Sequence, residues 1–224
     1  MDDRFGIESV ERASGIELLD WQQSRLVTYV RLLRSWQTKQ NLVSRETLET
    51  VWSRHIADCV QLLPLIESTF RSRSDTRLAG VDLGSGAGLP GALLALVGVN
   101  PEEIDAFHMT LIESTNRKAS FLRTVSRETN CSFDVLPKRI ETFSKGPIPP
   151  AHFITARALA PLSRLITLAE PWLNAGSVAF FHKGGEYARE LADWPDADAY
   201  HVVEHSSVVD PQSRILQIQR RDAE

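Results

Sequence analysis

Apolar side chains recur at helical intervals through the first third of this chain and in short runs through the rest. Over residues 18–37 they fall at Leu19, Leu26, Tyr29, Val30, Leu33 and Trp36, steps that place them on one face of a helix. Asn41 and Ser44 interrupt the stripe, and Ser44 is a plausible N-cap for the next helix. A second stripe runs through Leu48, Val51, Trp52, His55, Ile56, Cys59, Leu62 and Leu63, with Pro64 near its end. Residues 67–77, rich in Ser, Arg and Asp, read as a linker. The first 75 or so residues are therefore expected to be helical.

Beyond the linker the pattern alternates. Strand-like runs fall at 78–83, 107–112, 131–136, 152–156, 177–181, 200–205 and 214–219. Helical stretches at 90–97, 116–128, 162–172 and 186–193 separate most of them. The last two strands are joined by a turn around Asp210-Pro211, which leaves no room for a helix. Strands alternating with helices imply right-handed parallel crossovers, here with an antiparallel, hairpin-like finish. The expected fold class is α/β: a Rossmann-like, seven-stranded sheet over residues 76–224 preceded by a helical lobe over 1–75.

One segment carries most of the chemistry. The apolar run 78–83 stops at three alternating glycines, Gly84, Gly86 and Gly88, and Pro90-Gly91 then opens a helix. A strand, a glycine turn and a helix bring backbone amides close to a nucleotide-like ligand, because glycine tolerates positive φ and has no Cβ to hold the ligand off. Two registers are possible. Gly86-x-Gly88-x-x-Gly91 satisfies the dinucleotide fingerprint of an NAD(P)-dependent oxidoreductase. Asp82-x-Gly84-x-Gly86-x-Gly88 is similar to the first motif of S-adenosylmethionine (SAM) methyltransferases. Asp82 favours the second: a carboxylate there suits a sulfonium ligand bearing an amino group but would repel a pyrophosphate. The seven-strand count with an antiparallel ending points the same way.

Further candidates lie at the same strand ends. Glu113 closes the second strand, where an acid can accept hydrogen bonds from a ribose diol; on its own it would read as a helix-capping acid. Ile140 and Glu141 follow the third strand, where this fold covers the adenine, although an ordinary strand-to-helix turn would look the same. Arg157 follows the fourth, placed to orient either the methionine carboxylate or the acceptor; a structural ion pair is the alternative. His55 shares its stripe with Trp52 and Ile56 and reads as a packed, hydrogen-bonded histidine.

Charge and composition bound the partners. A net charge of −4 over 224 residues argues against a generally sticky nucleic-acid binder. Local basic surface still matters, because phosphates respond to charges within about 8 Å at physiological salt. Arg117 and Lys118 open one helix, Arg139 and Lys183 sit on neighbouring loops, and their convergence suggests an RNA-phosphate rim. Two cysteines without metal-ligand spacing suggest a reduced compartment and no metal. No apolar run approaches the roughly 20 residues that span a bilayer. The N-terminus lacks the pattern of a signal peptide, so a cytoplasmic protein is expected. After the fourth strand there is neither a segment to grip an exocyclic amine nor a Pro-Cys nucleophile. The acceptor should need no deprotonation, which guanine N7 satisfies, so no catalytic acid or base is expected.

Together these segments resemble one family, the bacterial 16S ribosomal RNA guanine-N7 methyltransferases, also called glucose-inhibited division protein B. The matches are Trp36 with Asn41-Leu42-Val43-Ser44, Arg54-His55-Ile56-x-Asp58 and Val81 through Gly91. They continue with Leu111-Ile112-Glu113-Ser114, Arg117-Lys118, Phe121-Leu122, Arg139-Ile140-Glu141, Ala156-Arg157-Ala158 and Lys183-Gly184. The departures are Cys59, where the family usually has Ser, and His182, where an apolar residue is common. The resemblance implies a SAM-dependent enzyme that methylates N7 of a guanine in the decoding-region loop of the small ribosomal subunit, acting as a monomer. By motif matching it implies cofactor contacts at Gly84, Leu89, Ile140, Glu141 and Arg157, to which the fold argument adds Asp82, Gly86, Gly88 and Glu113. Arg117, Lys118, Arg139 and Lys183 are the candidate RNA contacts.

Overall fold

The computed structural model describes residues 3–71, 78–98 and 107–221. Helices α1 (Asp3–Ser14), α2 (Asp20–Gln37) and α3 (Arg45–Leu48) come first, then a π-helical turn over Trp52–Ala57, and then α4 (Asp58–Val60) and α5 (Leu62–Phe70). The α/β part comprises β1 (Leu78–Leu83), α6 (Gly91–Gly98), β2 (Phe107–Ile112), α7 (Asn116–Glu128), β3 (Asp134–Leu136), β4 (Phe153–Arg157), α8 (Leu162–Asn174), β5 (Val178–Lys183), α9 (Tyr187–Ala192), β6 (Tyr200–Ser206) and β7 (Arg214–Arg220).

All seven expected strands form one sheet in the order β3-β2-β1-β4-β5-β7-β6. β1 pairs in parallel with both β2 and β4, and β4 with β5. β7 inserts antiparallel between β5 and β6, the expected finish. The chain leaves β1 toward β2 on one side and returns through β4 on the other. This reversal opens a crevice at the carboxyl ends of β1 and β4, where α/β sheets bind ligands.

One face of the sheet packs α8 through Leu165, Ala169 and Trp172. On the other face α6, α7 and the N-terminal helices share one apolar cluster, from Leu26, Tyr29 and Leu33 of α2 to Leu93 and Leu96 of α6 and Phe121 of α7. The N-terminal helices are thus a layer of the same hydrophobic unit as the sheet. Polar contacts fix that layer: Gln22 donates to the Val97 carbonyl at 2.6 Å and Arg25 to the Leu96 carbonyl at 3.3 Å. These side chains satisfy carbonyls that the last turn of α6 leaves free.

Apart from shifts of one or two residues at element ends, the structure differs from the sequence reading in three places. Residues 67–70, expected in the linker, extend α5, which carries Pro64 in its first turn, where its missing N–H costs nothing. The rest of that linker, 72–77, lies outside the described residues. The strand expected over 131–136 pairs only from Asp134; Cys131 and Phe133 before it are buried, and the Cys131 thiol donates to the Ala95 carbonyl. The second stripe breaks at the π-helical turn, where an extra residue per turn shifts the faces on which Arg54, His55 and Asp58 emerge.

Candidate functional site

The glycine turn is built by its neighbours. Gly84, Gly86 and Gly88 have φ of 69°, 57° and 89°, values that side chains of L residues rarely adopt. Tyr29, fully buried on α2, donates to the Ala87 carbonyl at 2.8 Å and ties the turn to the N-terminal layer. Glu113 holds it from the other side: Oε2 accepts from the Gly86 amide at 2.9 Å and Oε1 from the Thr115 amide at 2.7 Å. Each oxygen keeps a lone pair for a ligand hydroxyl.

Gly91 does something different. A Cβ there would lie 2.4 Å from the Asp82 Cβ, so its role is close helix–strand packing, a role the third glycine has in either register. Gly86 has open space around it, the nearest atom to an added Cβ being the Gly84 carbonyl at 3.8 Å. Gly91→Ala should therefore destabilise by up to about 3 kcal/mol through overpacking. Gly86→Ala should cost only about 1–2 kcal/mol, from backbone strain. Denaturant midpoints of the two variants check the order, and a reversed order would refute this assignment of roles.

Asp82 corrects the expectation that it faces the ligand. It is fully buried and lines neither neighbouring cavity; Oδ1 accepts from the Thr155 hydroxyl at 2.7 Å. Burial pushes its carboxyl up to about 6, against the hydrogen bonds that favour the charge. It supports the turn from beneath.

Two cavities open beside the turn, separated by the loop after β4. Ala158 takes φ of 52°, and Leu159 lies over Gly84, so close that a Cβ on the glycine would sit 2.6 Å from the leucine Cδ1. The first cavity, about 340 Å³, is lined by Gly84, Glu113, Lys118, Arg139, Ile140 and Glu141 among others. Ile112, Ile140 and Leu168 supply apolar walls for a flat ring, and Glu113 a carboxylate at its edge. This combination fits the adenosine half of SAM. The Glu141 side chain pairs with Arg164 at 2.9 Å. Gly86, Gly88 and Leu89 do not line this cavity. Gly86 reaches it only through Glu113, Gly88 packs against Ala92 and Leu122, and Leu89 is buried in the core.

The second cavity, about 300 Å³, is lined by Arg54, Asp58, Arg157, His182, Lys183 and Arg214 among others. Arg157 lies here, away from the first cavity, and the N-terminal layer uses all its nitrogens. Nε pairs with Asp58 Oδ2 at 2.9 Å, and the other two donate to His55 Nδ1 and the Arg54 carbonyl, both at 3.1 Å. A structural ion pair is therefore its main role. Lys183 is corrected too: it is buried, paired with Glu190 and bonded to the Ala160 carbonyl, so it offers no exposed cation to RNA.

His55 is packed as expected. Since Nδ1 accepts from Arg157, Nε2 carries the proton and donates to the Thr47 hydroxyl at 2.8 Å. Burial first, and Arg157 second, push its pKa down to about 4. His182 donates from Nε2 to the Asp58 carbonyl at 2.7 Å, and its Nδ1 has no partner. The departure at His182 thus touches Asp58, the residue that holds Arg157. Asp58, Thr155 and Leu159 join the site without having been expected there from the sequence. The Arg54-His55-Ile56-x-Asp58 spacing is the available signal for the first; nothing local marks the other two.

Of the remaining basic candidates, Lys118 and Arg139 line the first cavity, whereas Arg117 is exposed in a separate cleft beside α2. Among the described residues no group of His, Cys, Asp and Glu could hold a metal, and no helix is long and apolar enough to cross a membrane.

Comparison with known proteins agrees with this geometry. The family model for rRNA small subunit methyltransferase G (GidB) matches residues 22–218. A ribosomal RNA small subunit methyltransferase G from Chelativorans sp. is 38% identical over 215 residues, covering 93% of this chain and 96% of the relative. Among solved structures, the METTL16 MTase domain aligns with a TM-score of 0.57 at 11% identity, over 98% of this chain and 92% of that one. A mutant of MtNAS in complex with S-adenosylmethionine aligns at 0.52 and 15% identity, over 96% and 83%. At such identities these two show the fold alone. The chain belongs to the rRNA small subunit methyltransferase G family and is a SAM-dependent methyltransferase of ribosomal RNA.

Proposed function

We propose that this enzyme methylates N7 of a guanine in the decoding-region loop of 16S rRNA, presented by the small ribosomal subunit. The observation that carries the reading is a nucleoside-sized cavity at the glycine turn beside a second, polar cavity, with Ala158 and Leu159 lining both. When bound, SAM supplies an electrophilic methyl group. The chain's own residues bind and orient. Glu113 receives the ribose hydroxyls, Ile140 and Leu168 flank the purine, and the loop around Leu159 divides this site from the acceptor's. Arg54 and Arg214 line the acceptor side together with Asp58 and Asp210 and offer cationic hydrogen-bond donors to an electron-rich partner such as a nucleotide. Because His55 is held neutral by burial and hydrogen-bonded at both nitrogens, it neither takes nor gives a proton. That suits a nucleophile with a free lone pair, for which proximity and alignment supply the rate enhancement. Lys118 and Arg139 at the rim of the first cavity hold RNA phosphates. A monomer acting in the cytoplasm completes the reading.

The test is methyl transfer from radiolabelled SAM to small subunits, deproteinised rRNA and bulk protein in parallel, with mapping of the modified nucleotide. Label on N7 of one 16S guanine is expected. Label on another base, or another position of guanine, would overturn the assignment.

A further inference from the structure

A third cleft, separate from both cavities, lies between the C-terminal end of α2 and the first turn of α7. It encloses about 490 Å³ and is lined by Ser35, Trp36, Lys39, Gln40 and Arg117. Trp36 meets buried Phe121 edge-on, ring centroids 5.5 Å apart at 62°, and remains partly exposed. Its indole is thus held from behind and offered to the cleft. Lys39 and Arg117 are exposed and make no ion pair recorded among the described residues. A shallow groove along Asn41, Leu42, Val43, Ser44 and Arg45 continues the surface and adds a further cation.

A packed aromatic ring and two cations without an ion pair among the described residues are what an unstacked nucleotide requires. The base stacks and the backbone phosphates meet the cations. A duplex cannot use the site, because its bases are already stacked. The cleft is also in the right place: Arg117 and Lys118 are consecutive on α7, the first lining this cleft and the second the cofactor cavity.

We propose that this cleft is a docking site for a single-stranded nucleotide of the ribosomal RNA, neighbouring the one that is methylated, with its base on Trp36 and its phosphates against Lys39 and Arg117. The proposal rests on rRNA as substrate but not on which atom is methylated.

The experiment compares Trp36→Leu, Trp36→Phe and Lys39→Gln with the unmodified enzyme. It measures KM for small subunits, affinity for deproteinised 16S rRNA, SAM affinity by calorimetry, and melting temperature. Trp36→Leu should weaken rRNA binding about 10-fold or more, the loss expected for one stacked base. Trp36→Phe should keep most of the affinity, and Lys39→Gln should flatten the salt dependence by about one phosphate contact. SAM affinity should hold throughout. Unchanged rRNA affinity in folded Trp36→Leu would overturn the proposal. Should that variant not fold, an unchanged salt slope in Lys39→Gln, whose side chain is exposed, would do so instead. A rise in KM on assembled subunits with no loss on deproteinised rRNA would identify a ribosomal protein as the partner and also overturn it. If the enzyme fails to methylate a guanine N7, the rRNA-binding arm still decides the cleft on its own.

Discussion

Glu113→Ala should raise the dissociation constant for SAM by about 100-fold or more. Both carboxylate oxygens accept backbone amides, from Gly86 and Thr115, and hydrogen bonds to a charged group are worth about 1.5–3 kcal/mol each. Without them the glycine turn loses its brace and the ligand its ribose acceptor together. Glu113→Gln keeps one acceptor oxygen and should fall between the two. Calorimetry with SAM and S-adenosylhomocysteine measures the loss. Binding by Glu113→Ala within a few-fold of the unmodified enzyme would sink the ribose assignment.

Asp58→Ala should be the most destabilising change outside the apolar core. It leaves the Arg157 guanidinium, 18% exposed, without the carboxylate that neutralises it. Removing one partner of a fully buried pair costs about 3–5 kcal/mol; partial exposure here lowers that to about 2–4. For a chain of this size the melting temperature should drop by roughly 5–15 °C. The double variant Asp58→Ala, Arg157→Leu should recover part of the loss, because no uncompensated charge then remains. Strictly additive losses would mean that the two residues act independently and would refute the ion pair as the link between the N-terminal layer and β4. Transfer activity should fall as well, since Arg54, His55 and Arg157 all border the second cavity or its wall.

Arg157 and Glu113 show where sequence reasoning reaches. Both stand at strand ends beside the turn, where the sequence predicts cofactor contact for each. Glu113 follows β2, adjacent to β1, so its position in the fold alone brings it to Gly86. Arg157 has a long side chain, and where its charge rests depends on what else lies within reach. Asp58, nearly 100 residues earlier, arrives there only because a π-helical turn and the packing of α2 on α6 set the N-terminal layer over the ends of β4 and β5. Lys183 is a parallel case: Glu190 captures it from α9. Asp82 misleads for a different reason. Its place before the first glycine is visible, but its direction, down onto Gly91 and Thr155, is a matter of three elements meeting.

By itself, then, the sequence determined the helical layer, the seven strands and their antiparallel ending, the glycine turn, and the family. These depend on local periodicity, on backbone conformations only glycine adopts cheaply, and on motifs written in consecutive residues. The tertiary structure decided which charges are spent and which remain free. Arg157, Lys183 and Asp82 are committed within the fold, while Lys118, Arg139, Arg117 and Lys39 face cavities or solvent. The reason is physical: a charge is satisfied by whichever partner packing brings within a few ångströms, and that partner can lie anywhere in the chain.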